Sequence, residues 1–270
     1  MASLAAPAAV LPASLVLDAK IQEVHEDNIN PLLSGAARPF SPEDGTRLVP
    51  AALWSGGARP APRPSTRSGD LITVADLAAG FSTIAGPGTD LSFTLELERA
   101  QYGRFAGLNA STAGISSKLS CQFSDMHSFS SLLACDKTWY DRDGLTGNTC
   151  GGNLELRQLT SMKFWIGEGI HYERHRARDP GLTFTGRILT IRSGYRFRER
   201  TSAVLTYTHL HRGFNDGSRI LMRSVTLSAA RDLTARVRAL ASFEHQRVAS
   251  DPAADRTGNN IFSLGMGYSY

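Results

Sequence analysis

The side chains best equipped for chemistry here are arginine, histidine and glutamate, and several recur at a spacing of two. His171, Glu173 and His175 alternate along one segment, and His209 and His211 along another. Alternate residues of a strand share a face, so each set would present its rings side by side. Imidazole and carboxylate are metal-ligand types, but the spacing meets no known ligand pattern, and no metal site is expected. Serines and histidines are plentiful. GxSxG is absent, however, and nothing singles out a nucleophile with its base. Neither an enzyme nor a cofactor is the expected reading.

Charge narrows the partners. Lys and Arg total 29 against 25 Asp and Glu, a net charge of +4, and the only lysines are Lys20, Lys118, Lys137 and Lys163. Arginine forks onto phosphate and carboxylate oxygens in bidentate fashion. That suits nucleic acid and the phosphates of lipopolysaccharide equally. Without a basic stripe interleaved with aromatics, nucleic acid is not expected as a partner. Charged residues make up 20% and hydrophobic ones 41%, yet no run approaches the ~18 apolar residues that a spanning helix needs. A helical membrane protein is excluded; a barrel, whose signal is spread over alternating segments, is not.

The elements that carry these side chains are strands. The clearest closes the chain: in NNIFSLGMGYSY, Phe262, Leu264, Met266, Tyr268 and Tyr270 share one face, and Ser263, Gly265, Gly267 and Ser269 the other. The pattern Ser263-x-Gly265-x-x-Tyr268-x-Tyr270 resembles the C-terminal signal by which the barrel-assembly machinery recognises bacterial outer-membrane barrels. Residues 90–102 alternate most cleanly, with Leu91, Phe93, Leu95 and Leu97 against Ser92, Thr94, Glu96 and Glu98. Further strands are expected at about 15–28, 71–85, 108–123, 128–140, 149–159, 162–175, 183–198, 201–212, 219–231, 236–248 and 260–270. The segments 128–140 and 201–212 show no decisive face. In 162–175, Glu168 falls on the apolar face with Phe164, Ile166, Ile170 and Tyr172, where a bulge would flip the register.

The joints alternate in length. SDMHS, LTSM, RERT and RDLTA are tight, whereas GRFAGLNA, DRDGLTGNTCGG, RHRARDPGL, HRGFNDGS and VASDPAADRTGNN are broad and polar. Short periplasmic turns alternating with longer outer loops mark outer-membrane barrels. The expected fold is therefore all-β: a closed antiparallel transmembrane β-barrel of about twelve strands over residues 15–270, in the bacterial outer membrane. Residues 1–14 read as a weak signal peptide or the cut end of a longer chain, because Pro7 and Pro12 interrupt the apolar stretch and no basic residue precedes it. Residues 30–70, rich in Gly, Pro, Ser and Arg, read as a long flexible loop. Cys135 and Cys150 flank a turn and would be bridged in an oxidising compartment, or stand as isolated small residues.

The faces assigned to the lumen carry Glu96, Glu98 and Lys118 early, Glu155 and Arg157 midway, then Arg192, Arg196 and Arg198, and last Arg238 and Glu244. Acidic residues gather on one side and arginines on the other. Two arrangements satisfy this: a narrow, transversely polarised pore, or an internal ion-pair network that closes the lumen. The Arg- and His-rich outer segments HYERHRARDP and THLHRGFNDGSR are expected to touch lipopolysaccharide phosphates rather than a metal.

A resemblance adds a more specific expectation. HEDNINPLL at the end of the first strand, LNASTAGISSKLSCQFSD with the following TWYDRDG, and EGIHYERHRARD are similar to elements of the barrel of surface lipoprotein assembly modifiers. The resemblance implies help in exporting or displaying a lipoprotein client at the cell surface. It also implies a barrel of about fourteen strands, the alternative count, preceded by a helical-repeat domain. The competing expectation from the arginine-bearing wall is a passive, porin-like channel for small anionic or polar solutes.

Overall fold

Twelve strands follow one another around the molecule in this computed structural model, which describes residues 14–26, 70–104, 106–141, 146–251 and 254–269. They are β1 (Ser14–Glu26), β2 (Asp70–Gly86), β3 (Thr89–Tyr102), β4 (Ala110–Gln122), β5 (His127–Tyr140), β6 (Gly147–Leu159), β7 (Phe164–Ala177), β8 (Phe184–Arg198), β9 (Thr201–Phe214), β10 (Arg219–Asp232), β11 (Val237–Asp251) and β12 (Ala254–Ser269). Every neighbouring pair is antiparallel, and β12 pairs with β1 from Asp18↔Ser269 to Glu26↔Ile261. Closure leaves no edge whose N–H and C=O groups would go unpaired in hydrocarbon. The count is twelve, so the fourteen-strand alternative is set aside. The expected loop at 30–70 lies outside the described residues except for Asp70, and so do Tyr270 and nearly all of residues 1–14.

Alternation builds the wall. Leu91, Phe93, Leu95 and Leu97 point outward and Ser92, Thr94, Glu96 and Glu98 inward, as do Phe262, Leu264, Met266 and Tyr268 against Ser263, Gly265 and Gly267. Leu95 is 62% exposed and Leu264 68%. Burying such a side chain is worth roughly 1.5–3 kcal/mol, which water would forfeit and hydrocarbon supplies. A closed barrel with this outer belt spans a membrane.

Three of the periplasmic turns are chemically alike. Ser124, Ser161 and Thr234 each accept, through the hydroxyl oxygen, the backbone N–H groups two and three residues on, at 3.0–3.3 Å. Such side-chain bonds satisfy a turn locally and hold it tight. Two expected broad joints proved short. β9 turns into β10 over residues 215–218, with Gly217 at φ 87°, and β11 runs to Asp251 before β12 resumes at Ala254. Polar, charged sequence there is strand that rises above the membrane, where the outward face need not be apolar.

Three further expectations are settled. No bulge interrupts the β6–β7–β8 register, so Glu168 faces outward between Leu156 and Ile191. The indecisive segments take faces: Leu132, Asp136, Thr138 and Tyr140 point inward on β5, and Val204, Thr206, Leu210, Arg212 and Phe214 inward on β9. Cys135 and Cys150 lie opposite each other on the outward face, Cα atoms 4.1 Å apart, and are bridged, while Cys121 is free. A loop of this length contributes about 3 kcal/mol through the unfolded chain.

Candidate functional site: a polarised lumen

The inward face divides into two arcs. On β1–β5 it carries Asp18, Lys20, Asp76, Glu96, Glu98, Lys118 and Asp136. Lys20, Asp76 and Glu98 stand in one row across β1, β2 and β3. On β6–β11 it carries Glu155, Arg157, Glu173, Arg192, Arg196, Arg212, Asp232, Arg238 and Glu244. Of the ten charged residues expected in the lumen, nine stand at inward positions of the alternation, and Arg198 lies beyond the β8–β9 register shift that follows Arg196. The acidic side and the arginine side are opposite arcs of one wall.

Glycine shapes the arginine arc. On β6, β7 and β8 an inward glycine stands next to a large side chain of the adjoining strand, which leans over it. His175 lies across Gly147 and His171 across Gly151, so that a Cβ on either glycine would come within 2.6 or 2.9 Å of the ring. Trp165 lies across Gly194, and Glu173 across Gly186. Through the gap at Gly186 on β8, Arg212 of β9 reaches Glu173 of β7, its Nε donating to Oε1 at 2.5 Å. In the same way Arg192 of β8 reaches past β7 to Glu155 of β6, its Nη1 donating to Oε2 at 2.6 Å. Gly167 stands beside that contact, its absent Cβ 3.2 Å from Oε1 of Glu155.

These pairs are deeply buried: Arg212 is 1% exposed and Glu173 0%. Aromatic rings complete their shells. Arg212 sits 4.4 Å above the Phe184 ring, which stacks on His175, and Arg157 sits 3.8 Å above Trp165. A guanidinium over an aromatic face gains from the ring quadrupole, more so when desolvated. His175 Nδ1 is bonded to Thr149 Oγ1 at 3.1 Å, and Gln246 donates to Glu244 at 2.8 Å. At the periplasmic mouth Arg238 pairs with Asp232 at 2.6 Å. Both buried pairs join strands two apart within one wall. Neither crosses the lumen.

The outer end is different. Val24, Ile72, Val74, Ala100, Tyr102, Ala110, Tyr140 and Ile261 form one apolar cluster with Leu108 and Leu182. The last two come from the 3₁₀ turns Ala106–Leu108 and Pro180–Leu182, so two outer joints fold inward over the lumen. Phe184, Leu210, Phe214, Ile220, Met222 and Val248 form a second cluster beside it. Sequence reading missed this cap, because inward apolar residues were assigned to lipid by default.

His171, Glu173 and His175 also need correcting. They were expected at an outer rim, and the structure turns all three into the lumen, where they belong to the arginine arc. His209 and His211 do face outward. Of the assembly signal, Ser263 and Gly265 face in and Tyr268 out. Gly265 leaves room for Gln22, whose Cγ would lie 2.5 Å from a Cβ there.

No protein-family model matches the chain, and no curated protein sequence does. Solved structures do match its fold. An outer membrane channel from Pseudomonas putida F1 superimposes with a TM-score of 0.61 at 11% identity, over 99% of this chain and 100% of that one. The NanC porin follows at 0.50 and 9%, over 72% of this chain and 93% of that one. With the apolar outer belt, this likeness makes the chain a twelve-stranded β-barrel of the bacterial outer membrane.

Proposed function

We propose that the barrel is a narrow, porin-like channel for small anionic or polar solutes, non-enzymatic, with the arginine arc as the track for anionic groups. The observation that carries this reading is the direction of the buried ion pairs. They join strands two apart along the wall, and acidic groups predominate on β1–β5 and arginines on β6–β11, so a solute passing between the arcs meets a transverse field. Fixed charges in a low-dielectric wall act strongly on ions there. The apolar cap of Leu108 and Leu182 then acts as the constriction at the outer mouth, since apolar narrows resist wetting and ion passage. Unitary conductance in planar bilayers tests the reading: ion-selective steps support it, and silence of both the folded barrel and a folded Leu108→Ser/Leu182→Ser variant refutes it.

Display of a surface lipoprotein remains the reading suggested by the family resemblance. The strand count argues against it, twelve rather than about fourteen, and the matched structures reported above are a channel and a porin. Surface exposure of a co-expressed lipoprotein would favour it. We further propose that Ser263, Gly265, Tyr268 and Tyr270 are what the barrel-assembly machinery reads. Tyr270→Asp should then accumulate in the periplasm and be degraded; normal, heat-modifiable barrel in the outer membrane would exclude that role.

A further inference from the structure

The outward face of the outer end is basic on one side of the barrel. Arg174 and Arg176 on β7, Arg187 on β8, His209 and His211 on β9, Arg219 and Arg223 on β10 and His245 and Arg247 on β11 all point away from the lumen in the outer halves of their strands. The corresponding part of β2–β5 carries only Arg99 and Lys137. There Arg99 is bonded to Ser111 at 2.6 Å, and Lys137 lies over the Trp139 ring at 5.2 Å. The basic side differs in kind. Arg223 stands directly opposite Arg247 on one side and His209 on the other. Like charges directly opposite on neighbouring strands destabilise a sheet. No carboxylate among the described residues pairs with Arg187, Arg223 or Arg247. An anion held between them removes the repulsion, and two guanidinium forks suit phosphate oxygens.

What lies against this wall is set by its surroundings. Immediately toward the periplasm the same strands present Leu205, Tyr207, Val225, Leu227 and Phe243 outward, each 38–52% exposed. The occupant therefore places phosphate at the basic row and hydrocarbon beneath it, on the outer-leaflet side. We propose that β8–β11 bind lipopolysaccharide, with Arg223, Arg247 and His209 gripping one lipid A phosphate and Arg187 with His211 beside them. This site is independent of what crosses the lumen.

The test uses the full chain, purified in detergent with heat-modifiability as the check on folding. Retained lipid is measured by native mass spectrometry after addition of bisphosphorylated lipid A, dephosphorylated lipid A or phosphatidylglycerol. The parent should retain bisphosphorylated lipid A roughly tenfold better than either alternative. Arg223→Ala/Arg247→Ala should lose most of that preference, and Arg99→Ala/Lys137→Ala should keep it. Equal retention by parent and Arg223→Ala/Arg247→Ala overturns the site. Equal retention of phosphatidylglycerol and lipid A by the parent overturns the ligand, and that arm needs no variant to fold.

Discussion

The outer and periplasmic halves of β9–β11 are built on opposite rules. In the periplasmic half, Leu205, Leu227 and Phe243 face out and Thr206, Ser228 and Ser242 face in. In the outer half, Leu210, Phe214, Ile220, Met222 and Val248 face in, while His209, His211, Arg219, Arg223 and Arg247 face out. The strands are continuous and the alternation holds as far as Val248, where β11 shifts register against β12, so what changes is the solvent on each side. Below, hydrocarbon lies outside and a polar lumen inside. Above, apolar side chains narrow the lumen and the outside is headgroup and water. Polarity follows depth as well as face.

Breaking the buried part of the outer half should have the largest effect. Arg212→Ala leaves the Glu173 carboxyl enclosed without its guanidinium, and losing one partner of such a pair costs about 3–5 kcal/mol. Urea unfolding followed by gel mobility should show it. A shift within error would mean that the pair contributes nothing to holding β7 to β9. The comparison itself is sharpened by one substitution made at two depths. Leu205→Arg places a guanidinium in the hydrocarbon belt and should cost roughly 2–4 kcal/mol, whereas Leu221→Arg, outward among His211 and the arginines, should cost about 0–1. Equal costs would abolish the distinction between the halves. The smallest effect is a gain. Glu168 faces lipid between Leu156 and Ile191, and Glu168→Leu should stabilise by about 1 kcal/mol. Destabilisation there would point to a partner for that carboxylate.

These rules also explain what could be read beforehand. All twelve strands were legible, because β3 and β12 keep hydrocarbon on one face and lumen on the other along most of their length. The charged lumen residues followed from the same alternation. The outer half was not legible. In THLHRGFNDGSR the apolar residues turn inward and the basic ones outward, so the segment resembles a loop, and the true turn is only residues 215–218. The ion pairs were hidden for another reason. Glu173, Gly186 and Arg212 are far apart in sequence, and only the register of β7, β8 and β9 puts the gap of a glycine between the two charges.

The central claim is that the two arcs line a conducting path closed down by the outer apolar cap. Single-channel recording in planar bilayers under a salt gradient tests it most directly, on the parent, on Leu108→Ser/Leu182→Ser and on Arg196→Gln. The account predicts small unitary steps from the parent and larger ones when the cap is made polar. With Arg196→Gln the reversal potential should shift toward cation preference, since the arginine arc loses a charge facing the lumen. Absence of steps from both the parent and the Leu108→Ser/Leu182→Ser variant, each shown to be folded by heat-modifiable migration, would contradict it.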